Sequence, residues 1–126
     1  MKHFPSLINF SAGTLLFVLG VTDYASPEWF FTQKYDVLMP TAQSTTILRV
    51  MMGFMATIGV AWLIACVMFF NQKRLLLFTG LLTTGFVVSR IGGLLLDGFN
   101  QHFTYIELGF EAIALLIIIV VYRKTR

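Results

Sequence analysis

Four long stretches of this sequence contain few or no charged side chains. Residues 4–22 and 50–70 contain none, residues 75–96 contain only Arg90, and residues 105–122 contain only Glu107 and Glu111. A helix needs about 20 apolar residues to cross the hydrocarbon core of a bilayer. The pattern therefore predicts an all-α membrane protein, an antiparallel bundle of four transmembrane helices with spans at about 5–22, 41–70, 75–96 and 104–122.

The connection between the first two spans has its own polar and apolar pattern. Ser26, Pro27 and an acidic residue at 28 form the signature of a helix start. Apolar and aromatic residues then recur at helical spacing, which predicts a short interfacial helix, although an irregular aromatic loop fits equally well. The sequence Asp23-Tyr24-Ala25 is a poor signal-peptidase site, so we expect span 1 to be retained. Residues 1–126 are predicted to form a single domain.

Composition and charge fix the predicted orientation. Of the 126 residues, 57% are hydrophobic and 12% are charged, against about 25% charged in soluble domains. Basic residues occur at both termini and in the turn after span 2, namely Lys2, Lys73, Arg74, Arg123, Lys124 and Arg126. Because basic residues near span ends stay cytoplasmic, both termini are predicted to be cytoplasmic in a cell (inner) membrane. Topology thus accounts for the net charge of +3, and the expected partner is the lipid bilayer, not a nucleic acid.

Small residues recur on the second and third spans. Gly85, Ser89 and Gly93 are four positions apart on span 3, and Gly53 belongs to a looser series on span 2. Small residues let transmembrane helices approach closely. We interpret them as helix-packing positions inside the bundle, while a homo-oligomer face remains the other interpretation.

Five charged residues are predicted to share the outer half of the membrane: Arg49, Arg90, Asp97, Glu107 and Glu111. At about 1.5 Å per helical residue, Arg90 and Glu111 lie at similar depths. Glu107 and Glu111 are four residues apart and would repel each other unless a cation stood nearby. We predict that Arg90 pairs with Glu111 and that Arg49 pairs with Glu107 or Asp97.

Two interpretations of this network stay open. It is either a polar staple that fixes how the spans pack, or an outward-facing site for a ligand, a lipid headgroup or protons, because intramembrane charges are commonly functional. His3 and His102 fall on opposite sides of the membrane, and Cys66 is the single cysteine. We therefore expect no catalytic set, no metal site and no cofactor.

Several short motifs carry a family resemblance. The run from Gly85 to Gly98 contains Ser89-Arg90 and Leu95-Leu96-Asp97-Gly98, while Leu48-Arg49 opens span 2 and Glu107 stands near the start of span 4. Together they resemble a family of small bacterial four-span membrane proteins classed as a domain of unknown function. DoxX-like membrane proteins are a more distant likeness. The resemblance implies the four-helix membrane fold and supplies no activity.

The preferred prediction of function is a non-enzymatic membrane protein whose Arg/carboxylate network binds a partner protein or a small or lipid ligand on the outer side. A proton-coupled transporter or channel that uses Glu111 is the first alternative. The second alternative, an accessory subunit of a membrane redox system, rests on the family likeness alone.

Overall fold

The computed structural model describes residues 3–27, 32, 42–68, 71–99 and 102–125, and four helices account for nearly all of them. They are α1 (Phe4–Ala25), α2 (Ala42–Val67), α3 (Gln72–Asp97) and α4 (His102–Lys124). No β-strand occurs among the described residues. The predicted all-α fold is therefore confirmed. The predicted interfacial helix lies outside the described residues, apart from Ser26, Pro27 and Thr32.

All four helices are long and apolar enough to cross a membrane. Their large apolar side chains are largely exposed: Leu96 is 86% exposed, Phe110 72% and Phe54 68%. A soluble monomer rarely exposes so much contiguous apolar surface, whereas lipid-facing helices require it. The prediction of a multi-pass membrane protein is thus confirmed.

The observed helices extend beyond three of the four predicted spans. Span 3 was predicted from residue 75, yet α3 begins at Gln72 because the Asn71 side chain accepts hydrogen bonds from the backbone N–H groups of Lys73 and Arg74, at 3.1 and 3.2 Å. Such a cap satisfies backbone donors that the helix itself cannot. The sequence predicts that span 1 ends at residue 22, yet α1 continues to Ala25. Asp23 therefore lies in the last turn of α1, where it is only 3% exposed. Charged residues therefore mark where a span meets the interface, not where the helix ends.

The end of α3 is a turn at a glycine. The helix ends at Asp97, and Gly98 has a φ of +111°, in the left-handed region that favours glycine. Its backbone N–H donates to the carbonyl oxygen of Leu94 at 3.2 Å. This glycine allows the chain to turn into the short connection that leads to α4.

The chain divides into two compact units, and α3 with α4 forms most of the first, which comprises residues 1–9 and 69–126. Its core contains Leu76, Ile118 and Val121, with Ile8 and Tyr122 packed against them. Leu76 contacts the far end of α4 while Arg90 contacts its beginning, so that the two helices run antiparallel. The prediction of a single domain over residues 1–126 stays a prediction.

The second unit, residues 10–68, packs most of α1 against α2 through glycines. A methyl group added at Gly20 would lie 2.5 Å from the backbone nitrogen of Ala56. One added at Gly59 would lie 2.8 Å from the carbonyl oxygen of Gly13 and would also collide with the backbone nitrogen of Phe17. The two backbones therefore touch, as small residues permit in membranes.

The glycines that the sequence predicts as packing positions are not the ones that make these close contacts. A methyl group at Gly85 would meet no described atom within 4 Å, and one at Gly93 would meet only Oδ2 of Asp97, at 3.9 Å. A methyl group at Gly53 would make an ordinary contact, 3.6 Å from the Tyr24 ring. The interpretation of Gly53, Gly85, Ser89 and Gly93 as helix-packing positions stays a prediction. Within residues 10–68, close packing is observed at Gly13, Gly20 and Gly59.

Candidate functional site

The candidate site centres on Arg90 of α3, which contacts two carboxylates of α4. Its Nε–H is shared between Oε1 and Oε2 of Glu111, each at 2.9 Å. Its Nη2 forms an ion pair with Oε2 of Glu107. Glu107 and Glu111 are four residues apart and so lie on one face of α4, a turn from each other. We call these three residues the Arg90 cluster.

The Arg90 cluster holds one more negative than positive charge when both acids are ionised. The side chains of Arg90, Glu107 and Glu111 are 24%, 20% and 21% exposed. Opposite unit charges 4 Å apart attract by about 1 kcal/mol in water and about 4 kcal/mol at an effective dielectric constant of 20. The guanidinium therefore stabilises both acids.

An open cavity of about 330 Å³ lies beside the cluster and includes Arg90 in its wall. The other lining residues are Phe86, Ser89 and Gly93 of α3 and Thr104 of α4. Two hydroxyl-bearing residues and a guanidinium thus share one wall with an aromatic ring. Ligand pockets usually measure about 300–1,000 Å³, so that this cavity suits a small molecule or a headgroup and not a whole lipid.

The cavity lies in the half of the α3–α4 pair that is nearer to the connection at residues 98–101. Arg90 is seven residues before the end of α3 at Asp97, which corresponds to about 10 Å along the helix. Glu111 is nine residues after the beginning of α4 at His102, which corresponds to about 13 Å. The cluster therefore lies inside the predicted membrane span and within reach of one interface.

The other two charged residues of the predicted network are Asp97 and Arg49. Asp97 is exposed at the end of α3 and makes no ion pair with any residue that the structure describes. Arg49 donates from Nη1 to the carbonyl oxygen of Tyr24 at 2.7 Å, and its guanidinium carbon lies 5.6 Å from the centre of the Tyr24 ring. A cation at the carboxyl end of α1 offsets the partial negative charge there. Arg90 thus contacts both acids of α4, whereas the sequence predicts an arginine for each of them. A contact of Arg49 with Glu107 or Asp97 stays a prediction.

A second polar cluster, which was not predicted from the sequence, joins the beginning of α1 to the beginning of α3. Asn9 is fully buried and donates from Nδ2 to the backbone carbonyl oxygen of Gln72 at 2.9 Å and to its Oε1 at 3.1 Å. Its Oδ1 accepts a hydrogen bond from Oγ1 of Thr79 at 2.9 Å. The signal was available, because Asn9 is the one amide side chain in the first predicted span. Every partner lies at the opposite end of α3 from Arg90, so that this cluster is separate from the candidate site.

Fold and site together define a class: a multi-pass, all-α membrane protein with a charged cluster between two of its apolar helices. The chain belongs to the family described as "Domain of unknown function (DUF4345)", which matches residues 7–122. No curated protein and no solved structure matches the chain. The resemblance to a domain of unknown function is thus confirmed at the level of the family, and the family description names no activity.

Proposed function

We propose that this protein is a non-enzymatic ligand-binding protein of the bacterial inner membrane and that the Arg90 cluster forms its binding site. The observation that carries the proposal is that Arg90 takes part in two features at once. This residue holds two carboxylates and also lines an open cavity.

A purely structural ion pair is the main competing explanation. A charge in the middle of a membrane helix costs at least about 2.5–3.5 kcal/mol when it is unpaired, so that pairing alone would justify the cluster. A structural staple, however, requires only that the charges pair with one another, and it does not require an open cavity beside them. The hydroxyl-bearing Ser89 in the wall of the cavity favours a site that receives a polar group.

The proposed orientation places this site on the outer side. Both termini and the turn at residues 71–74 carry basic residues, and such residues stay on the cytoplasmic side. Because the cluster lies near the connection at residues 98–101, at the other end of α3, the cavity would open outward. The DoxX-like resemblance adds no ligand to this proposal.

The proposed function can be tested by identifying what the purified protein retains. Wild-type protein and the Arg90→Ala and Glu111→Gln variants would be purified in a mild detergent, and their lipids and small molecules extracted and compared by mass spectrometry. Arg74→Ala is the matched control, because it removes an arginine at the predicted cytoplasmic turn. We expect at least one compound to be depleted in both site variants and retained in the control.

Growth and lipid profiles of cells that carry the same variants provide the second measurement. If both site variants are folded, keep every compound that the wild type keeps, and support wild-type growth and lipid profiles, the proposed binding site is wrong and the structural staple stands.

A further inference from the structure

We propose that the α3–α4 pair carries a second site, at the end opposite the Arg90 cluster, which binds the headgroup of an anionic phospholipid. The site consists of the basic residues in the first turn of α3 and the last turn of α4. We call them the basic patch: Lys73, Arg74, Arg123 and Lys124. The inference does not rest on the function proposed above, because none of these residues belongs to the Arg90 cluster.

A contact between Lys73 and Tyr122 joins the two halves of the basic patch. The Nζ atom of Lys73 lies 4.9 Å from the centre of the Tyr122 ring, within the distance at which a cation is attracted to the face of an aromatic ring. Tyr122 itself packs against the core that contains Leu76 and Val121. Because Tyr122 directly precedes Arg123, this contact brings basic residues of two helices to one end of the pair.

The acidic residues of this unit lie too far away to neutralise the basic patch. Residues 1–9 and 69–126 contain three acids, Asp97, Glu107 and Glu111, and all of them belong to the other half of the α3–α4 pair. Glu111 is twelve residues before Arg123 on α4, which corresponds to about 18 Å. Exposed charges are largely screened from each other beyond about 8 Å at physiological salt. The like charges of the patch therefore favour an anion as their partner.

Apolar surface continues from the basic patch along both helices. On α4, Ile119 and Leu116 are four and seven residues before Arg123 and so share its face. On α3, Leu81 is seven residues after Arg74 and shares the face of that arginine. All three apolar side chains are exposed. A phospholipid would place its phosphate at the patch and its acyl chains along these faces, whereas a free phosphate or an acidic protein segment would use the charges alone.

The charge of the basic patch selects among phospholipids. Arginine binds phosphate through its planar set of N–H donors, and lysine does so as a point charge. A zwitterionic headgroup carries an ammonium that the patch repels, while an anionic headgroup of the phosphatidylglycerol type does not. Basic residues beside a membrane span attract anionic lipids in this way. Orientation in the membrane requires basic residues near span ends, but it does not require the contact that gathers them.

The experiment compares phosphatidylglycerol with phosphatidylcholine, the two lipids having identical acyl chains. Purified protein would be incubated with an equimolar mixture in detergent and the bound lipids counted by native mass spectrometry. The wild type should retain more phosphatidylglycerol. Arg123→Gln should lower the ratio of the two lipids about fivefold, the factor that one basic residue near an anionic surface supplies. Arg123→Lys keeps the charge and should keep most of the preference, and Arg49→Gln, which removes an equal charge from the other unit, should leave the ratio unchanged.

The contrary outcomes are equally definite. Equal retention of the two lipids by the wild type overturns the site, and so does an equal fall of the ratio in Arg49→Gln and Arg123→Gln, which would reflect net charge alone. Strong displacement of the lipid by soluble glycerophosphoglycerol would show that the patch binds a free phosphate ester and not a lipid. If Arg123→Gln fails to fold, the wild type still decides, because its preference should fall when the salt concentration is raised to 1 M, and an unchanged ratio contradicts the proposal. Arg74→Ala, the control for the Arg90 cluster, should lower the ratio here, so that the two sites respond to different variants.

Discussion

The close contact between α1 and α2 gives a prediction whose magnitude can be worked from the structure. In Gly20→Ala the added methyl group would lie 2.5 Å from the backbone nitrogen of Ala56 and 2.7 Å from the carbonyl oxygen of Met52. Both atoms belong to the α2 backbone, so that no side-chain rotation relieves the collision. Overpacking of this kind costs about 1–3 kcal/mol, while exchange of glycine for alanine in a helix returns at most about 1 kcal/mol. A collision with backbone atoms belongs at the upper end of the overpacking range, and we therefore expect a net loss of stability of about 2 kcal/mol.

Gly85→Ala is the matched control, because it makes the same exchange where a methyl group meets no described atom within 4 Å. It should be neutral or stabilise the protein by up to about 1 kcal/mol through helix propensity alone. The free energy of unfolding would be measured by circular dichroism during titration with a denaturing detergent. If the two variants differ by less than about 0.5 kcal/mol, within the range of ordinary surface substitutions, the close approach of α1 and α2 is wrong. A marked loss for Gly85→Ala alone would indicate instead that this side of α3 packs against another molecule.

Four further substitutions test individual contacts. Asn9→Ala removes the hydrogen bonds to Gln72 and Thr79 and should destabilise the protein by about 0.6–1.7 kcal/mol, the range for polar contacts in membrane helices, as measured by the same unfolding titration. Arg90→Ala leaves two carboxylates a turn apart without their cation and should cost about 2 kcal/mol, less than the 3–5 kcal/mol of a fully buried pair. Adding Glu111→Gln to Arg90→Ala should recover part of the lost stability. If the effects of the two substitutions on the free energy of unfolding simply add, the coupling between these two side chains is refuted. Gly98→Ala should cost about 1–2 kcal/mol because of its positive φ, and an unchanged melting temperature would contradict the turn.

The sequence was a good guide to the helices and a weaker one to their ends. Long runs without charge predict spans because charged groups are costly in hydrocarbon, and this rule needs no knowledge of contacts. The beginning of α3 depends instead on one side chain, Asn71, whose capping bonds appear only when the backbone geometry is known. The burial of Asp23 in the last turn of α1 could not be predicted either, because an acidic residue after an apolar run is typical of the start of a loop.

Within the candidate site, depth was predictable and direction was not. Arg90 and Glu111 could be matched because each lies a countable number of residues from a span end. Whether Arg90 also forms an ion pair with Glu107 depends on how α3 and α4 are rotated about their axes, which the sequence does not specify. The close contacts of α1 left a clearer signal, since Gly13 and Gly20 are seven residues apart and so share a helix face. A pattern based on four-residue spacing does not include this pair.

The central claim, an outward-facing site at the Arg90 cluster, is tested most directly by labelling a cysteine placed in the cavity. Ser89→Cys would be introduced into a Cys66→Ala background, and intact cells treated with a membrane-impermeant maleimide. Thr84→Cys, an exposed α3 position outside the cavity lining, is the control that should stay unlabelled, because it would face lipid. Labelling of Ser89→Cys from the outer side of the inner membrane is the result that the account predicts. Labelling only after the cytoplasmic side is exposed, or none at all in a folded protein, would contradict it.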